Sequence, residues 1–176
     1  MKTSPSTSLG ATGGRGLRIL VLRSRFNDSI VAGLAEGASD YLREVGAAFD
    51  VELVPGAFEL PLVALVGAQT GRYDAVVVLG AVIQGQTDHY EHIARECAHG
   101  LMNAALATGV PMAFGVLTVT RQKHAIARSQ PGPENKGREA ASAAIESAVL
   151  MKKLGRPRLP VFGPPTQMTP QMSRGH

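Results

Sequence analysis

The chain has one cysteine, no tryptophan, 5% aromatic residues and 18% charged residues. Each scarcity excludes something. A single thiol, Cys97, cannot form an internal disulfide framework or a cysteine-rich metal site. It fits a reducing compartment, and the expected location is cytoplasmic. Cys97 falls on the apolar face of a helical pattern, where a packed core thiol is favoured over a nucleophile. No apolar run reaches the ~18 residues of a membrane-spanning helix. The longest, Ala75 to Ile83, has the length of a buried strand, so no membrane partner is expected. With few aromatics, a formal charge of +4 whose excess sits late (Lys152, Lys153, Arg156, Arg158, Arg174) is a weak footprint for nucleic acid, and none is expected as a partner. The Gly-rich dinucleotide fingerprint, the Walker pattern and the HExxH ligand pattern are all missing, which removes weight from nucleotide and zinc enzymes.

What is present is an alternation of strand and helix signals. Residues 1–16 are rich in Ser, Thr and Gly and lack the apolar core of a secretory signal. They read as a flexible N-terminus, and their lack of acidic residues also suits a transit peptide. Leu17 to Leu22 is apolar. Ile30, Val31, Leu34, Ala38, Tyr41, Leu42 and Val45 then recur on one helical face, with Asn27 or Ser29 as cap and Gly46 as stop. Phe49, Val51 and Leu53 alternate with Asp50 and Glu52, the pattern of a half-exposed strand. Pro55-Gly56 breaks it, and a helix fits Phe58 to about Gln69.

Tyr73 to Ile83 is Val-rich and apolar throughout, as in a central parallel strand buried on both faces. Helical spacing returns at Ile93, Cys97, Leu101 and Ala105, and Pro111 to Thr118 is a further strand. A short helix spans Arg121 to about Arg128. Gln130-Pro131-Gly132-Pro133 turns the chain, and Asn135 caps a last helix to about Leu154. Ala140, Ala141, Ala144 and Ala148 would let that helix pack closely on the sheet. The order predicts an α/β three-layer αβα sandwich, flavodoxin-like, with a four-stranded parallel sheet. Its domain spans residues 17–154. From Gly155 the tail carries five of the eleven prolines without periodicity and reads as extended or disordered.

Ligands of such sheets bind beyond the carboxyl ends of the strands. Arg25-Phe26-Asn27 follows the first strand and Gly56-Ala57-Phe58-Glu59 the second. The third ends in Gly80 to His89, and the fourth contains Phe114-Gly115-Val116-Leu117-Thr118. Gly85-Gln86-Thr87 immediately precedes a helix. Either its free amides and the positive helix end bind an anion such as phosphate, or Thr87 merely caps the helix. His89 lies in the first turn, where the helix dipole favours the neutral imidazole; it is a proton carrier beside an anion or a solvated surface histidine. His89 and His92 have the spacing of a metal pair, but no ligand set completes it and no metal is expected. Phe26 and Phe58 suit stacking on a flat heterocycle, or the core. Glu59, Arg128, Lys136 and Glu139 are each open to a structural reading. Arg128 precedes the Pro-Gly kink and is placed to reach a phosphate.

Taken together, Arg25-Phe26-Asn27, Pro55 to Pro61, Gly80 to His89, Phe114 to Thr118 and Asn135-Lys136-Gly137 resemble the motifs of the 6,7-dimethyl-8-ribityllumazine synthase family, in order and separation, from Leu17 to Leu154. The resemblance implies a transferase of riboflavin biosynthesis. It would condense 5-amino-6-ribitylaminouracil with 3,4-dihydroxy-2-butanone 4-phosphate and release phosphate and water, with no cofactor. It implies that Phe26 stacks on the pyrimidine and that Ala57, Phe58, Glu59, Val82 and Ile83 hold the ring and ribityl chain. Gly85, Gln86, Thr87 and Arg128 would bind the phosphate and His89 would move protons. Phe114, Arg128 and Lys136 would come from a neighbouring subunit, with Glu139 supporting them. The implied partner is the chain itself, as a homopentamer or an assembly of pentamers with the active site between subunits. Gln84 and Asp88 depart from the Arg and Pro many members carry there. Residues 130–134 lack the Thr-Lys-Ala-Gly pattern of shell-forming members.

Overall fold

The computed structural model describes residues 13–155; the N-terminal stretch up to residue 12 and the Pro-rich tail beyond Gly155 lie outside them. The elements follow in the order β1 (Arg18–Ser24), α1 (Asp28–Glu44), β2 (Ala48–Val54), α2 (Leu60–Gln69), β3 (Ala75–Ile83), α3 (His89–Thr108), β4 (Met112–Val119), α4 (Gln122–Ser129) and α5 (Lys136–Lys153). The strands form one sheet ordered β2-β1-β3-β4, and every pairing is parallel. This is the expected α/β three-layer fold.

The period-two alternation of strand side chains divides the core in two. Ile19 and Val21 of β1 and Val77, Leu79 and Ala81 of β3 meet Leu34 and Leu42 of α1 and Ala141, Ala144 and Ile145 of α5. Leu20, Leu22, Val76 and Val78 face the other way, against Leu60 and Ala64 of α2 and Cys97 and Leu101 of α3. Both faces of β3 are therefore apolar, which is why its sequence is a continuous hydrophobic run. The edge strand β2 differs from its alternating pattern. Of its three alternating apolar residues, Phe49 packs against the core, whereas Val51 and Leu53 are exposed. An edge strand need not have a helix of its own chain over its whole length.

Asn135 ties the last third of the chain together. Its side-chain oxygen accepts from the amides of Gly137 and Arg138 at 2.8 and 3.1 Å, which caps α5. Its Nδ2 donates to the carbonyls of Gly33, Ser129 and Gln130, each at 3.0 Å. Close approach of α1 to this hinge depends on small residues. A Cβ on Gly137 would stand 1.9 Å from the Leu34 carbonyl oxygen. At the amino end of the sheet, Asp50 accepts from Arg18 Nε at 3.1 Å and from the Tyr73 hydroxyl at 2.9 Å. The hydrogen bond from Arg18 chiefly holds the Asp50 carboxyl below its usual range. This cluster is remote from the carboxyl ends, where the site lies.

Candidate active site at the carboxyl ends of the strands

The turn from β1 to α1 places Phe26 in solvent, 72% exposed. Next to it Asn27 occupies the cap position of α1 with a φ of 57°. The expected side-chain cap is not made. Its Nδ2 donates instead to the Ala81 carbonyl at 2.8 Å, which fixes the turn to the end of β3. A non-glycine residue in this left-handed region is uncommon and costs energy, and such residues cluster at functional sites.

After β2, the chain turns through Gly56 to Glu59. Helix α2 begins at Leu60, two residues later than its sequence pattern suggested, because Pro61 sits naturally in a first turn. Glu59 is the residue before that turn. A Cβ on Gly56 would stand 2.9 Å from Glu59 Oε2 and 3.4 Å from Phe26 Cδ2. The carboxylate and the aromatic ring therefore converge over a backbone without a side chain. Phe58 is 59% exposed beside them. Two large aromatics held in solvent at the carboxyl edge of the sheet are not core, and their faces are free to stack on a planar group.

After β3, Gly85 has open space where a Cβ would be. The cap position of α3 falls to Asp88, not Thr87, and its side chain makes no capping hydrogen bond. The Glu91 amide donates to the Asp88 carbonyl at 3.0 Å, which leaves the amides before it, at the very start of α3, as the backbone groups that can meet an anion. His89 is the first helical residue.

These three turns enclose one cavity of about 700 Å³. It is lined by Phe26, Ala57, Phe58, Glu59, Val82, Ile83, Gly85, Thr87 and His89, nine of the residues singled out in the sequence. Gln86 is exposed and does not line it. A second depression of about 270 Å³ runs along the free edge of β4 and takes in Phe114, Arg128, Lys136 and Glu139. There Lys136 Nζ pairs with Glu139, and Arg128 Nη1 donates to the His124 carbonyl of its own helix at 2.9 Å. Within one chain the two groups line separate recesses.

The structure adds lining residues that sequence reasoning did not assign to the site: Asn27, Gly56, Ala81, Tyr90, His92, Ile93 and Glu96. The last three follow His89 at helical spacings of three, four and seven. That periodicity was the available signal. Cys97 points the other way: it is fully buried, and burial pushes its thiol up to about 11. Among the described residues no group of three His, Cys, Asp or Glu is placed to hold a metal ion, and no helix is long and apolar enough to cross a membrane.

A doubly wound parallel sheet with a ligand-sized cavity and a histidine at its carboxyl edge is the arrangement of an α/β protein that takes a small molecule there. The sequence model of 6,7-dimethyl-8-ribityllumazine synthase matches residues 16–152, and the chain belongs to that family. It is a transferase of riboflavin biosynthesis. Membership implies small-molecule substrates and an oligomeric assembly.

Proposed function

We propose that the chain condenses 5-amino-6-ribitylaminouracil with 3,4-dihydroxy-2-butanone 4-phosphate to give 6,7-dimethyl-8-ribityllumazine, phosphate and water. The carrying observation is the single cavity that unites Phe26, Glu59, Gly85, Thr87 and His89. In this reading Phe26 stacks on the pyrimidine, and Ala57, Phe58, Glu59, Val82 and Ile83 hold the ring and its ribityl chain. Gly85, Gln86, Thr87 and the α3 amides take the phosphate. The pyrimidine amine attacks the ketone and water leaves as the imine forms. Phosphate then departs, and the ribitylamino nitrogen closes the ring on the remaining carbonyl with loss of a second water. Each stage moves a proton, which His89 relays. Holding both substrates in register removes much of the entropic barrier, so no strong side-chain nucleophile and no cofactor is required.

Phe114, Arg128, Lys136 and Glu139 act from a neighbouring copy in this proposal, with Arg128 on the phosphate. Two observations support an interface of this kind. The four residues lie along an unpaired strand edge, outside the chain's own cavity. Large apolar residues also stand exposed on α2 and α3, including Leu62, Val66, Met102 and Leu106, a surface that an oligomer would cover. We assign the assembly as a homopentamer or a set of pentamers, working in the cytoplasm, with residues 17–154 as the catalytic domain.

The test is an absorbance and fluorescence assay of the purified protein with both substrates and no added metal or cofactor. The expected result is lumazine formation faster than the uncatalysed condensation. Tight pyrimidine binding without acceleration would overturn the proposal and leave a binding module.

A further inference from the structure

The cavity within this chain has no cation of its own. Among the residues lining it there is neither Lys nor Arg, while Glu59 and Glu96 both face it. Asp88 adds a further negative charge next to the Gly85 to Thr87 turn. An anion bound there depends on neutral donors from this chain, and one of them has been given a fixed direction. His92 lines the cavity one helical turn beyond His89. Its Nδ1 lies 3.0 Å from Arg95 Nη2. A guanidinium has no lone pair to offer, so Nδ1 must accept and carries no proton in this contact. The ring proton of the neutral imidazole is then on Nε2.

The two ring nitrogens face nearly opposite ways. With Nδ1 engaged by Arg95, Nε2–H is the ring's remaining donor at the cavity that His92 lines. Arg95 is itself held by Glu96, with Nε 3.3 Å from Oε1. Glu96 also has His99 Nδ1 at 3.9 Å.

We infer that His92 is a further phosphate-binding residue of this site: its Nε2–H, oriented by Arg95, donates to an oxygen of the ketone's phosphate and of the released phosphate ion. The assignment of the phosphorylated ketone rests on the condensation reading above. His89 must give and take protons during turnover, so it is a poor static donor. His92, with one nitrogen occupied, is a good one.

Inorganic phosphate is the direct probe, titrated by calorimetry into the wild-type protein and into His92→Phe, His92→Gln and Arg95→Met. His92→Phe keeps a flat ring at an exposed position and removes the donor. It should weaken phosphate binding about tenfold, the scale of one hydrogen bond to a charged group. His92→Gln, whose amide can donate, should recover most of the affinity, and Arg95→Met should fall between. In turnover, the KM for the phosphorylated ketone should rise by the same factor in His92→Phe, with kcat and the pyrimidine KM unchanged. Unaltered phosphate affinity in His92→Phe, an effect confined to kcat or the pyrimidine KM, or no saturable phosphate binding by the wild type would each overturn the inference. His92-dependent phosphate binding by a protein that forms no lumazine would sink the condensation reading and leave the donor standing.

Discussion

Polar and apolar residues of α3 have opposite fates set by which way they face. His89 and His92 look into the open cavity. Cys97, two turns on, is fully buried against the sheet. Its thiol is raised to about 11 by desolvation of the charged form. At pH 8 that leaves roughly 0.1% thiolate, behind a surface no reagent touches. A colourless aromatic disulfide reagent should therefore leave the native protein unlabelled at pH 8 and release one equivalent of thiolate only on unfolding. Rapid labelling of the native protein would show that α3 opens or that Cys97 is not packed as described. The lone cysteine is thus excluded as a nucleophile by its environment, in keeping with the proposed condensation, which needs positioning and proton transfer.

Among the elements, the α4–α5 hinge carries more than its exposed loop suggests. Asn135 is 1% exposed and holds two backbone donors and three backbone acceptors at once. Asn135→Ala should cost about 2 to 3 kcal/mol, the sum of a lost cap and buried carbonyls left without a donor. Asp caps a helix about as well as Asn in general, yet Asn135→Asp should be at least as damaging. It removes Nδ2 and sets a carboxylate against the three carbonyls. Urea unfolding measures both, and an Asp variant as stable as the parent would show that only the cap matters.

This hinge was legible in the sequence, since Asn before a helical run of small residues is a strong start signal. Strand and helix order was legible too, because periods of 2 and 3.6 mark them. Other features were not. Val51 and Leu53 alternate like buried residues, but β2 lies at the edge and the chain does not cover them. Asn27 carries a cap residue's signature, but the demand of Ala81 for a donor across 54 positions won. Such long-range partners leave no local trace.

At the scale of the whole molecule, all fourteen acidic residues and fourteen of the eighteen basic ones lie between residues 13 and 155. The formal charge of +4 therefore comes from the ends, and the folded body is balanced. The anion recognition proposed for it would have to be local, through helix amides and individual side chains. The candidate residues are divided: His89 and eight others line one cavity, while Arg128, Phe114, Lys136 and Glu139 line another recess. A closed ring built from one repeated heterologous contact would bring the first face of one copy to the second face of the next.

That arrangement makes a distinctive prediction for mixed assemblies. His89→Ala should lower kcat about a hundredfold or more by removing the proton relay. Arg128→Ala should raise the KM for the phosphorylated ketone, so that at low ketone it is nearly inactive. Co-assembled in equal amounts, the two defective chains should recover roughly a quarter of wild-type activity. One site in four then draws its His89 from the Arg128 variant and its Arg128 from the His89 variant. Simply mixing the separately assembled proteins should recover nothing. If co-assembly gives no more than the sum of the two variants alone, His89 and Arg128 serve the same site from the same chain, and the division seen between the two recesses has no functional meaning.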